Sequence, residues 1–176
     1  PLLNYRNVLK SIEKITSPDG LGMSPKRITV STAGVAKMIQ QLGDDQVKFN
    51  LALSLHAAND KKRSQIMPIN ETNNLKVLVD SLNYFYKATQ NEISFEYILF
   101  KDFNDSEKDA DELIKIYRQV PVDLVNIIEY NPIDQARFQK PSPEATEAFM
   151  EYLGKHPVNA RLRRSPRRAS MTWTMT

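Results

Sequence analysis

Strand-forming and helix-forming runs take turns along this chain, and that alternation restricts the fold more than any other feature. Arg27-Ile28-Thr29-Val30-Ser31-Thr32 is β-rich, and a helix follows from near Val35 to Gly43. Residues 48–55 read as the next strand, with Leu51, Leu53 and Leu55 alternating with the small residues Ala52 and Ser54. A short helical stretch at 61–66 is halted by Met67-Pro68, and Asn73 or Asn74 then caps a long helix with Leu75, Leu78, Val79, Leu82, Phe85 and Tyr86 inward. Ile93 to Phe100 alternates as a strand, Ser106 opens another helix that stops at Pro121, and Val122 to Ile128 is again a strand. An irregular segment with prolines at 132, 141 and 143 leads to a helix over about 144–155 and a short strand from Val158 to Arg163. An amphipathic helix at 5–16 precedes all of this. Strands separated by helices imply a parallel sheet with right-handed crossovers. The expected fold is therefore α/β, an open or partial (βα) barrel of TIM-like type.

Several classes are excluded. No glycine-rich loop follows any strand, which argues against a dinucleotide or P-loop fold. The chain has no cysteine, so it forms no disulfide and supplies no thiolate nucleophile or cluster ligand. That usage fits a cytoplasmic protein. No apolar run reaches about 18 residues, so no membrane span is expected. No histidine pair stands at metal spacing, and no catalytic dyad can be picked from spacing.

The net charge of +3 is a property of one end. Less the five positive charges of Arg161, Arg163, Arg164, Arg167 and Arg168, the formal +3 becomes −2. Such a segment attracts nucleic acid on electrostatic grounds; a solvated tail is the alternative.

Four strands end in polar groups: Ser31-Thr32, Ser54 with His56, Asn104-Asp105, and Asn131. In a parallel barrel these ends share one rim, where ligands bind. Each has a plainer reading too. Ser31 and Thr32 can cap the helix near 35, His56 can be a packing histidine, and Asn104-Asp105 and Asn131-Pro132 are turn pairs.

The same segments carry a resemblance. Pro1–Asn4, Arg27–Gly34, Leu53-Ser54-Leu55-His56-Ala57-Ala58-Asn59-Asp60, Met67–Asn70, Phe95–Tyr97, Phe103–Asp105 and Asn126–Pro132 occur in one order. Over about residues 1–165 they resemble the radical S-adenosylmethionine (SAM) RNA methyltransferases, which methylate C2 of adenine in 23S rRNA and tRNA. The resemblance implies a radical SAM-type barrel that uses S-adenosylmethionine and a 4Fe-4S cluster. It implies that Ser31, Ser54, Leu55, His56 and Asn131 contact S-adenosylmethionine. His56 then becomes a positioning group rather than a general base. Arg161, Arg163 and Arg164 are candidates for RNA phosphate.

The departures are as informative. The family's cluster-binding cysteines, its glycine-methionine-glycine-glutamate run and its methyl-carrying cysteine all lie outside this sequence, and Pro166 to Thr176 matches nothing. The expectation is a C-terminal portion of such an enzyme, core 1–165 and a non-matching tail 166–176, its ends altered by truncation or a shifted frame. No catalytic residue and no metal ligand is assigned within the chain, and alone it is expected to be inactive. The competing reading is a non-catalytic RNA-binding remnant with a basic tail. An unrelated barrel enzyme is a third, which lacks a strand-end lysine or metal set.

Overall fold

The computed structural model describes residues 1–132 and 137–164; the tail 166–176 lies outside the described residues. Five strands form one sheet: β1 (Thr29–Thr32), β2 (Asn50–Ser54), β3 (Ile93–Leu99), β4 (Leu124–Glu129) and β5 (Ala160–Arg163). All four pairings are parallel and the spatial order is β1-β2-β3-β4-β5. Six α-helices accompany them: α1 (Tyr5–Thr16), α2 (Ala36–Asp44), α3 (Asp60–Ile66), α4 (Leu75–Thr89), α5 (Glu107–Tyr117) and α6 (Pro143–Gly154). The sheet is not closed, as expected of a partial barrel.

Alternation along the strands decides which face the helices cover. In β3, Ile93, Phe95, Tyr97 and Leu99 are fully buried, whereas Ser94, Glu96 and Ile98 are half-buried. The buried set joins one core with Ile39 and Leu42 of α2, Leu78, Leu82 and Phe85 of α4, Leu113 of α5, and Phe149 and Leu153 of α6. The opposite face carries Ser31, Ala52, Ser54, Ser94, Glu96 and Asn126, which share parity through the strand register. This polar face is the lumen side of the partial barrel.

Local chemistry explains the helix starts. Asn74, not Asn73, caps α4, its side chain accepting from the Val77 N–H at 3.0 Å. Asn73 reaches across instead and accepts from the Ala36 N–H at the start of α2, at 2.9 Å. Ser106 and Asp109 form a reciprocal capping box on α5. Thr32 accepts from the Gly34 N–H at 3.1 Å and so shapes the turn rather than capping α2. Gly34 has φ +101°, and a Cβ there would lie 2.9 Å from Leu78, so the turn after β1 requires glycine. Among the described residues no helix is long and apolar enough to cross a membrane.

Candidate functional site

The lumen face holds a cavity of about 400 Å³ whose lining includes Ser31, Ser94, Glu96, Asn126 and Arg163. Ser31 is exposed and Ser54 half-buried. The register sets Ser31 beside Ala52 and Ser54 beside Glu96. Glu96 in turn neighbours Asn126, and Asn126 neighbours Arg161. One polar chain crosses this floor. The Asn126 Nδ2 donates to Glu96 Oε1 at 2.8 Å, and Arg163 Nε donates to Asn126 Oδ1 at 2.7 Å.

The end of β2 is held in place from two sides. From one, Arg63 of α3 is completely buried and its guanidinium serves carbonyls of both flanking strand ends. It donates to Leu55 O (3.2 Å), Ser54 O (3.3 Å) and Ala33 O (2.7 Å), and to Asn70 Oδ1 (2.8 Å). Burial pulls its pKa down to about 10, while Asp60 opposes that shift. From the other side, buried Asn104 donates to His56 O (2.7 Å) and Ile98 O (2.8 Å) and accepts from the Phe100 N–H (2.7 Å). Asn104 thus staples β2 to β3, a larger role than a turn residue has.

His56 sits between these anchors with φ +56°, a left-handed conformation uncommon for a residue other than glycine. Its Nδ1 accepts from the Ile98 N–H at 3.2 Å, which leaves the proton of the neutral ring on Nε2. Burial first, then the Arg63 charge, lowers its pKa from 6.5 to about 4. The ring is therefore a neutral, fixed donor at neutral pH, not a poised base. A depressed histidine pKa stabilises the fold above pH 6.5, and that contribution is lost as pH falls through 4. The full loss is about 3 kcal/mol, at 1.36 kcal/mol per pH unit. We expect the urea midpoint to drop between pH 7 and pH 4, and His56→Asn, which tolerates the same backbone, to flatten that drop. Equal slopes in the two proteins would show that His56 is not the titrating group.

The remaining sequence-predicted residues are dispersed. Leu55 is wholly buried in the core, with its N–H donating to Glu96 O at 2.9 Å. Asn131 follows β4 and is exposed. Arg161 is exposed on β5, whereas Arg163 is tied to Asn126 and Arg164 lies 3.6 Å from Glu129. His156 is half-buried against the Tyr152 ring, with centroids 5.4 Å apart. At the rim, Phe138 packs on Phe100 (4.6 Å) and Phe103 (5.1 Å), and Tyr130 also meets Phe100. Tyr84 covers Gly43 and bonds Asp44, and Phe85 is buried core. Among the described residues no group of three His, Cys, Asp or Glu side chains is arranged to hold a metal.

Sequence reasoning missed Arg63, named Asn104 only as a strand-end or turn residue, and met Glu96 only as a position of an alternating strand. Arg63 follows two lysines and reads as helix surface. Glu96 reads as the solvent side of an alternating strand; the one available signal was that in a barrel this side faces the lumen.

This open parallel sheet, with helices on one face and mixed polar groups on the other, is the fold of radical SAM enzymes. A radical SAM methyltransferase from Sphaerobacter thermophilus superposes with a TM-score of 0.88 at 32% identity, covering 94% of this chain and 48% of that one. A domain of pyruvate-formate lyase-activating enzyme from Bacteroides vulgatus shares the fold at a TM-score of 0.70 and 14% identity, covering 93% of each chain. No family model matches the chain. Two curated relatives named probable dual-specificity RNA methyltransferase RlmN match 94% of the chain. The one from Cytophaga hutchinsonii is 55% identical and 45% covered; the one from Christiangramia forsetii is 52% identical and 47% covered. Over 94% of its length the chain is similar to these RNA methyltransferases, and it spans about half the length of the curated relatives it matches.

Proposed function

We propose that the chain is the S-adenosylmethionine-binding part of an enzyme that methylates C2 of adenine in 23S rRNA and tRNA. The observation that supports this most is the identity of 52–55% to relatives named as dual-specificity RNA methyltransferases. The lumen face agrees chemically. S-adenosylmethionine combines an amino acid, a ribose and an adenine, and it requires short, mixed donors and acceptors. When bound it supplies the methyl group and the adenosyl moiety. Ser31 and Ser54 offer hydroxyls from adjacent strands, His56 a fixed Nε2–H, and Asn131 an amide beyond β4. Leu55 faces the core, so its part is to anchor Ser54 and His56. We assign residues 1–165 to this part of the enzyme by similarity and leave 166–176 outside it. We assign RNA phosphate first to Arg161, which is exposed; Arg163 and Arg164 already face Asn126 and Glu129. The setting proposed is the cytoplasm.

A 4Fe-4S cluster does not fit these residues. The 176 residues contain no cysteine, so a cluster in the working enzyme is ligated by thiolates outside them, and the chain alone is inactive. Calorimetric titration with S-adenosylmethionine and transfer of labelled methyl to RNA test the reading together. The chain should bind the cofactor, Ser54→Ala should weaken binding about three- to tenfold, and no methyl should reach RNA. RNA methylation by the chain alone overturns the predicted inactivity. Salt-sensitive RNA binding without cofactor binding favours the non-catalytic RNA-binding alternative.

A further inference from the structure

We infer that Phe138 is a positioning residue of the ligand rim: it fastens the segment after β4 to the end of β3 and so sets Asn131 against the ligand; this rests on the S-adenosylmethionine reading above. Phe100 and Tyr130 each stand one step past a register pair, Leu99 and Glu129, and their rings meet with centroids 4.9 Å apart. Asn131 follows directly. It precedes Pro132, which favours extended backbone at Asn131, so its placement depends on what holds the chain to either side.

The chain returns to the same place at residues 137–140. Phe138 is half-buried and packs on Phe100 at 4.6 Å and on Phe103 at 5.1 Å. The Gln139 carbonyl accepts from the Lys101 N–H at 2.9 Å. Lys140 Nζ lies 2.9 Å from Glu129 Oε2, which ties the returning chain to the strand it left. Arg137 covers the outer side of the clasp, 5.1 Å from the Phe138 centroid. Phe100 is the hub, and it is itself pinned. Its N–H donates to Asn104 Oδ1 at 2.7 Å, and Asn104 Nδ2 donates to His56 O at 2.7 Å. The rings therefore hold Asn131 in a fixed relation to His56, although the two residues come from different strand ends. A plain apolar plug of the barrel end would look similar. The difference is thermodynamic: a plug changes stability alone, whereas a fastening that favours the ligand must be tightened by the ligand, because linkage is reciprocal.

The test uses the full chain with S-adenosylhomocysteine as the probe. An aromatic pair of this geometry carries about a two- to tenfold factor in an equilibrium. Phe138→Ala should therefore weaken probe binding about three- to tenfold, and Phe138→Tyr, which keeps the ring, should restore it. Asn131→Ala should weaken binding as well. Adding Phe138→Ala to it should cost less than about twofold more, because the fastening then has nothing to place. Additive losses overturn the inference, and so does wild-type affinity in Asn131→Ala or in a folded Phe138→Ala; Ser54→Ala still tests the cofactor reading separately. Hydrogen exchange on the wild type needs no variant to fold. Saturation with the probe should slow exchange of the Lys101 amide by about the same three- to tenfold factor. Probe binding that leaves the Lys101 amide unchanged overturns the inference and keeps the cofactor reading intact. No probe binding by the wild type overturns both.

Discussion

Replacing Arg63 with methionine should destabilise the chain by about 3–5 kcal/mol, among the largest effects a single substitution has. The guanidinium is fully buried and donates to three backbone carbonyls and the Asn70 amide. Methionine fills much of the volume but leaves Ala33 O, Ser54 O and Leu55 O facing a dry interior. Each unmet buried acceptor costs about 1–3 kcal/mol. Asn70 still donates to Asp60 and Ser64, so part of the network survives. Arg63→Lys keeps the charge but not the fork, and it should recover only part of the loss. Chemical denaturation decides the matter: a methionine variant within 1 kcal/mol of wild type would mean that water replaces the guanidinium, and that Arg63 does not set the spacing of β1 and β2.

The second large effect belongs to Asn104. Alanine there removes bonds to His56 O, Ile98 O and the Phe100 N–H, with an expected loss of about 2–4 kcal/mol. Asn104→Asp separates shape from chemistry. The aspartate fits, but a carboxylate would face two carbonyl oxygens in place of an amide NH₂. Its deficit should exceed that of alanine at neutral pH and shrink as pH falls and the carboxyl takes a proton. Denaturation of the three proteins at two pH values reads both trends. A deficit for Asn104→Asp that does not change with pH would contradict the assigned orientation of the amide.

Both residues show where reading the sequence stops. The strands and helices were legible because periodicity reports burial: Leu51, Leu53 and Leu55 announced β2, and the capping residues Asn74 and Ser106 announced α4 and α5. The polar strand ends Ser31 and Ser54 were legible as a shared rim, because strand parity and parallel order together place them on one face. Arg63 was not legible. Within Lys61-Lys62-Arg63, only the third position turns inward, and that depends on where α3 docks against the strand ends. Asn104 was legible as a polar strand end, but its part as a staple was hidden for a related reason. Its partners are backbone groups of β3 and of the turn after β2, and backbone groups leave no mark in composition. Glu96 was legible only as a polar position, since an alternating strand reads alike whether its polar side meets bulk solvent or a barrel lumen.

The strand order has a consequence for how the chain folds. Every pairing in β1-β2-β3-β4-β5 joins strands that are also successive in sequence. Each addition to the sheet therefore closes one crossover of one or two α-helices and no longer one, and closure entropy grows only slowly with such lengths. The sheet can grow outward from β3, a unit at a time, without threading a strand between two already paired. Loss of order should run in reverse, from the four-residue strands at the two ends inward. The anchored turn after β2, with Arg63 on one side and Asn104 on the other, lies inside that sequence of events. The Ser54–His56 part of the ligand face is thus assembled before the edge strands that carry Ser31 and Arg163 are complete.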